Sequence, residues 1–127
     1  MVCEDVPMPV PKAGEVLIKV EAAPINPSDL GFIRDKMGNG DNYPYKCGFE
    51  GSGLVVASGG GLAAWSAKGK RVSFFAQGKG KTEGGSWAEY VTVNALQCIT
   101  LPNSVSFEHG ACANVNPLSA VGLLERC

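Results

Sequence analysis

Glu15-Val16-Leu17-Ile18-Lys19-Val20-Glu21-Ala22-Ala23, followed by Pro24-Ile25-Asn26-Pro27-Ser28-Asp29, carries the clearest structural pattern in the chain. Val16, Ile18 and Val20 fall on one side of an extended chain, and Leu17, Lys19 and Glu21 on the other. That two-residue period marks a half-buried β-strand. The turn Pro11-Lys12-Ala13-Gly14 launches it. Pro24 and Pro27 end it, because proline has no N–H for a sheet ladder. Ser28 or Asp29 is then placed to cap a short helix reaching about Lys36, with Leu30, Ile33 and Phe32 as its inward side.

Outward from this unit the same grammar repeats. Gly51 to Ser58, Arg71 to Ala76, Trp87 to Val93 and Leu96 to Leu101 read as short strands. Gly59-Gly60-Gly61, the segment from Gln77 to Gly85, and Pro102-Asn103 separate or end them. Seventeen glycines and eight prolines supply the turns that many short strands need. The expected fold is mainly β with short helices, a barrel or a sandwich. Towards the C-terminus, Ser106 can cap a helix through about Ala113, and Pro117 suits the first turn of another from Leu118 to Arg126. That last helix meets no stop signal before Cys127, as though it led into a further unit.

Composition excludes several classes. Hydrophobic residues at 45% and charged residues at 18% describe a globular chain able to bury a core at 127 residues. Eleven basic against twelve acidic residues give a net charge of −1 and no electrostatic reason for a nucleic-acid partner. Lys68, Lys70, Arg71, Lys79 and Lys81 form the one basic concentration, read as a solvated face. No apolar run of about 18 residues is present, so no membrane span is expected. Five cysteines, Cys3, Cys47, Cys98, Cys112 and Cys127, form no C-x-x-C pair, and Met1 to Asp5 lacks a secretory start. Free thiols in a cytoplasmic protein are the expectation, or a mitochondrial one if a segment precedes Met1. Cys98 is expected in the core.

Motifs are informative mostly by failing. Gly78-Lys79-Gly80-Lys81-Thr82 has Phe75 where a P-loop needs glycine, and no helix follows it. Gly59-Gly60-Gly61 has Ala64 at the last glycine of a dinucleotide fingerprint. The chain alone is therefore not expected to bind a dinucleotide tightly. His109 is the single histidine, with no cysteine cluster near it, so neither a zinc site nor a hydrolase triad is expected.

Three segments carry a resemblance: Gly14 to Asp29, Gly48-Phe49-Glu50-Gly51-Ser52-Gly53-Leu54-Val55, and Asn116-Pro117-Leu118-Ser119-Ala120-Val121. Trp87-Ala88-Glu89-Tyr90-Val91 and Leu101-Pro102 precede the third. In this order they resemble the N-terminal catalytic domain of the medium-chain dehydrogenase/reductase superfamily. The nearest branch holds the zinc-independent quinone oxidoreductases and 2-enoyl thioester reductases. The resemblance implies a GroES-like, partly open β-barrel over residues 1–115. It makes 116–127 the start of the helix leading to a nucleotide-binding Rossmann domain that this chain does not contain. Zinc-dependent relatives place Cys after the first strand and use G-H-E, whereas Asn26-Pro27-Ser28-Asp29 and Gly48-Phe49-Glu50 stand here.

The resemblance further implies NADPH as cofactor, no metal, and reduction of quinones, enones or 2-enoyl thioesters by hydride transfer. Asn26 corresponds to an Asn near the nicotinamide, with a plain Asn-Pro turn as the competing reading. Asn116 and Ser119 correspond to cofactor-side residues at the linking helix, with helix capping as the alternative for both. The enoyl reductases' catalytic Tyr falls on Met37 in an ungapped count, so Tyr43, or Tyr45, is the candidate substitute. Asp29 is expected to cap or brace its helix, Phe49 to fill the space of a metal ligand, and Trp87 to pack in the core. Expected partners are a small-molecule substrate and the Rossmann domain, in a full-length homodimer. The fragment alone is expected to be monomeric, inactive and sticky along Leu118, Val121 and Leu124. A non-catalytic GroES-like binding or structural module is the alternative.

Overall fold

The computed structural model describes residues 3–35, 46–76 and 84–126. Five strands, β1 (Glu15–Ala22), β2 (Glu50–Ser58), β3 (Arg71–Phe75), β4 (Tyr90–Asn94) and β5 (Cys98–Thr100), form one antiparallel sheet in the order β4-β1-β2-β3-β5. Among the described residues the sheet stays open, as a partial GroES-like barrel does. Four short helices accompany it: α1 (Pro27–Asp35), α2 (Leu62–Ala67), α3 (Phe107–Ala111) and α4 (Asn116–Leu124).

Alternation gives the sheet two different faces. On one, Val16, Ile18, Val55, Val72, Phe74, Val91 and Val93 pack with Ala64, Ala76 and Ala95 into the core. Strand β2 contributes Gly51 and Gly53 to this face because neighbouring groups leave no room for more. A Cβ at Gly53 would stand 2.0 Å from the Lys19 carbonyl oxygen of β1. Helix α2 closes the core with Ala64 and leaves Leu62 and Trp65 outside. Leu17 is buried too, so β1 is covered on both faces at its start.

The other face is polar and holds the C-terminal segment down. Ser52 Oγ donates to the Phe107 carbonyl, and Ser73 Oγ donates to the Gly110 carbonyl at 2.6 Å. Asn114 Nδ2 donates to Ser73 Oγ. Arg71 reaches the carbonyls of Pro102 and Val105 at 3.0 and 2.7 Å, and its guanidinium lies 4.3 Å from the Phe107 ring centre. Residues 102–115 are thus a strap over β2 and β3, fixed by side chains that alternate along both strands.

Several expectations need correction. The strand expected from Trp87 begins only at Tyr90, and the one expected from Leu96 begins at Cys98. A 3-10 turn, Ala95–Gln97, intervenes, because the Asn94 side chain accepts the Leu96 N–H and bends the chain. Helix α2 has no counterpart among the sequence expectations, since its six residues follow three glycines and show little periodicity. In α1 it is Phe32 that is buried, while Leu30 and Ile33 are 46% and 38% exposed. The reason is that Asp29 and the Phe32 ring, three residues apart, fix which side of the helix faces in. Cys98 packs at the edge of the core, half-buried.

Candidate functional site

The site forms where the β1–α1 loop meets the end of the strap. Asn26 is 5% exposed, directly before Pro27 at the first position of α1. Its carbonyl accepts the Asp29 N–H at 3.0 Å, beginning the helix. Asp29 Oδ2 reaches back to accept the Asn26 N–H at 2.7 Å. This is the returning half of a capping box. Asp29 therefore braces the helix, and neither it nor Ser28 occupies the capping position; Asn26 does. Because the backbone of Asn26 is satisfied in this way, its side chain is released for other contacts.

That side chain is clamped at both ends. Asn26 Nδ2 donates to Glu50 Oε1 at 2.9 Å, and Asn26 Oδ1 accepts from Asn116 Nδ2 at 3.1 Å. Glu50, 1% exposed at the start of β2, uses its second oxygen to accept the backbone N–H groups of Asn114 and Val115, each at 2.9 Å. One carboxylate thus joins the first loop of the domain to the residues just before α4. A buried carboxylate holding three N–H donors is a costly arrangement unless each bond is made, and here all three are.

Asp29 Oδ1 is buried with no hydrogen bond of its own among the described residues. Burial pushes the Asp29 carboxyl above its usual range; the amide dipoles of Asn26 and Phe49 oppose the rise and the Glu50 charge adds to it. Burial, with the Asp29 charge nearby, likewise raises the Cys47 thiol.

Of the residues read from the sequence, the structure brings Asn26 and Asn116 together. The plain-turn reading of Asn26 does not account for its clamped side chain, and Asn116 is not a helix cap, since its amide goes to Asn26. Ser119 is not part of this contact. Its Oγ donates at 2.6 Å to the carbonyl of Val115, the residue that caps α4. Tyr43 and Tyr45, like Met37, lie outside the described residues. Trp87 is half-buried and anchors the loop by donating from Nε1 to the Pro24 carbonyl at 3.0 Å. Phe49 is half-buried, its ring edge-on to Phe32 at 5.5 Å and stacked on Phe75 at 6.4 Å. Phe32, Phe49 and Phe75 thus form one aromatic cluster. The residue that sequence reasoning missed is Glu50. Its signal was available: an acidic side chain opening an otherwise apolar, glycine-rich strand must be buried with partners.

An open antiparallel sheet with a strap and a polar loop-to-helix junction defines the class by its architecture, that of a partial GroES-like barrel. Residues 12–103 match the alcohol dehydrogenase GroES-like domain. The chain belongs to this family and to the N-terminal part of the medium-chain dehydrogenase/reductase superfamily. It is 31% identical over 131 residues to a zinc-type alcohol dehydrogenase-like protein of Schizosaccharomyces pombe, covering 97% of this chain and 36% of that protein. It is 36% identical over 123 residues to a trans-enoyl reductase of Aspergillus flavipes, covering 93% and 34% respectively. The structure of Escherichia coli quinone oxidoreductase complexed with NADPH superposes with a TM-score of 0.77 at 26% identity, over 98% of this chain and 36% of that one. The chain therefore spans about a third of the length of these relatives.

Proposed function

We propose that this chain is the substrate-side domain of an NADPH-dependent reductase that acts on quinones, enones or 2-enoyl thioesters without zinc. The observation that carries the reading is the clamped Asn26 amide beside the exposed start of α4. The relatives named as quinone oxidoreductase and trans-enoyl reductase support it. Bound NADPH would supply the hydride, and a polarised double bond would receive it at the β-carbon.

The work of this chain's own residues follows from their chemistry. Asn26 keeps one Nδ2 proton beyond its bond to Glu50, and Asn116 keeps its Oδ1 and one Nδ2 proton. Such a fixed donor and acceptor pair suits the carboxamide edge of a nicotinamide. Ser119, whose own proton is committed to Val115, can still accept a hydrogen bond from a cofactor hydroxyl. The developing enolate oxygen needs a donor, and Tyr43, or Tyr45, is the side chain the sequence offers.

Zinc does not fit the residues at the family's ligand positions. Asn26 offers only a neutral amide already committed to Glu50 and Asn116, and Phe49 offers no ligand atom. Without a Lewis acid, conjugated acceptors are better substrates than simple alcohols. We further propose that residues 1–115 form the substrate-side unit and that α4 opens the connection to a Rossmann domain. None of the residues of α4 is buried, and Leu118, Val121, Leu123 and Leu124 are all at least half exposed. A cytoplasmic homodimer is the accompanying proposal for the whole protein.

The test is NADPH oxidation by a longer polypeptide that continues into a nucleotide-binding domain, with a benzoquinone, an enone and a crotonyl thioester as acceptors. Turnover with at least one acceptor, lowered by Asn26→Ala and by Tyr43→Phe, is expected. No turnover with any of the three removes the reading.

A further inference from the structure

We propose that Glu50 is a positioning residue that fixes which end of the Asn26 amide faces which neighbour, and through it the orientation of Asn116. The proposal rests on the reading of Asn26 as a cofactor-side residue and adds the group that orients it.

The reason is donor and acceptor polarity. Glu50 Oε2 accepts two backbone N–H groups, those of Asn114 and Val115, and a backbone donor cannot turn around. With both of its oxygens accepting, Glu50 presents only an acceptor to Asn26. Asn26 must therefore turn Nδ2 towards it, which leaves Oδ1 to face Asn116. Asn116 in turn must offer Nδ2, so its Oδ1 points elsewhere. An Asn amide has two nearly isosteric orientations, and the Asn116 amide, able to donate or accept, does not choose between them. The carboxylate does. The direction of the whole relay, from the strap through Glu50 and Asn26 to Asn116, is set by one buried side chain.

Glu50→Gln separates direction from shape. The two backbone N–H groups hold the glutamine's oxygen in the place of Oε2, so its NH2 group must face Asn26. Asn26 then reverses, and Asn116, exposed and with no second partner among the described residues, reverses with it. Every hydrogen bond is kept, with the two between side chains inverted in direction. The fold should therefore survive, while the donor and acceptor shown to a nicotinamide change places.

Two measurements decide the matter. In the 127-residue chain, through-hydrogen-bond NMR couplings should run from Asn26 Nδ2 to the residue-50 carboxyl carbon. In Glu50→Gln they should run from the residue-50 side-chain nitrogen to the Asn26 side-chain carbonyl carbon. In the longer polypeptide, kcat should fall about 10–100-fold with the thermal midpoint nearly unchanged. Asn116→Asp, at an exposed position, offers an independent arm. An acceptor at position 116 faces the Asn26 Oδ1 when Glu50 is present, but matches the reversed amide once Glu50→Gln is introduced. Asn116→Asp should thus lower stability on its own and cost several-fold less when combined with Glu50→Gln. The difference should hold at high salt as well as low, because screening removes charge repulsion but not the mismatch. Unreversed couplings in Glu50→Gln, or reversed couplings with unchanged kcat, would overturn the proposal. Absence of turnover in the unmutated longer chain would instead strike the functional reading, while the NMR and stability arms would still judge the relay.

Discussion

Replacing Ser73 by alanine tests whether the strap is held by its side-chain hydrogen bonds. Ser73 is fully buried on β3, donates to the Gly110 carbonyl at 2.6 Å and accepts from Asn114 Nδ2. Alanine fits the space but leaves both partners behind. The Gly110 carbonyl is buried but still accepts the Ala113 N–H at 3.3 Å, so losing the Ser73 bond costs about 1 kcal/mol. Asn114 is only partly buried and can recruit water, so about 1 kcal/mol is assigned to it. The sum is about 2 kcal/mol, a sizeable share of the roughly 5–15 kcal/mol of a domain. At about 3–5 °C per kcal/mol for a chain of this size, the midpoint should drop by roughly 6–10 °C. Ser52→Ala is the internal control, since Ser52 Oγ has a single partner among the described residues, the Phe107 carbonyl, and should cost about half as much. Urea and thermal unfolding followed by circular dichroism measure both. A loss below about 0.5 kcal/mol for Ser73→Ala, or a larger loss for Ser52→Ala, would refute the reasoning.

Further outcomes follow from other contacts. Gly53→Ala should destabilise the sheet by more than about 2 kcal/mol, because its Cβ would stand 2.0 Å from the Lys19 carbonyl of the neighbouring strand; the urea midpoint reads this. Asp29 has a raised carboxyl pKa in the folded state, so its favourable contribution is fully present below 3.8 and is lost as pH rises through the raised value. Asp29→Asn should accordingly flatten the stability profile measured upward from pH 3.8, gaining on the unmutated chain as pH rises. Burial pushes the Cys98 thiol up to about 11, while Cys3 and Cys112 are exposed. Native protein treated with iodoacetamide at about pH 8 should therefore label Cys3 and Cys112 and spare Cys98 until unfolded, as peptide mass mapping would show.

The strands are legible in the sequence wherever alternation is long enough to read. Val16, Ile18 and Val20 announce β1, and the paired prolines announce its end. Helix α2 is not legible, since six residues after a triple glycine carry too little pattern, and it is the burial of Ala64 against the sheet that holds it. The inward side of α1 is obscured for a related reason. Hydrophobicity favours Leu30 and Ile33, but the bond from the Asn26 N–H to Asp29 rotates Phe32 into the interior. At the site, Asn26 and Asn116 can be named from motif resemblance, yet their contact spans 90 positions along the chain and no local pattern encodes it. Glu50 escapes because its role depends on two backbone N–H groups that arrive from the strap. Ser119 illustrates the reverse: the residue type fits a cofactor contact, and only the geometry reveals that its proton is already used.

The most direct measurement is steady-state NADPH oxidation by the longer polypeptide after exhaustive chelation, with its zinc content determined on the same sample. If an amide-lined, metal-free wall is what the substrate meets, benzoquinone or enone reduction persists at undiminished rate with zinc far below one per chain. Loss of that turnover on chelation, restored by adding zinc, would contradict the account at its root.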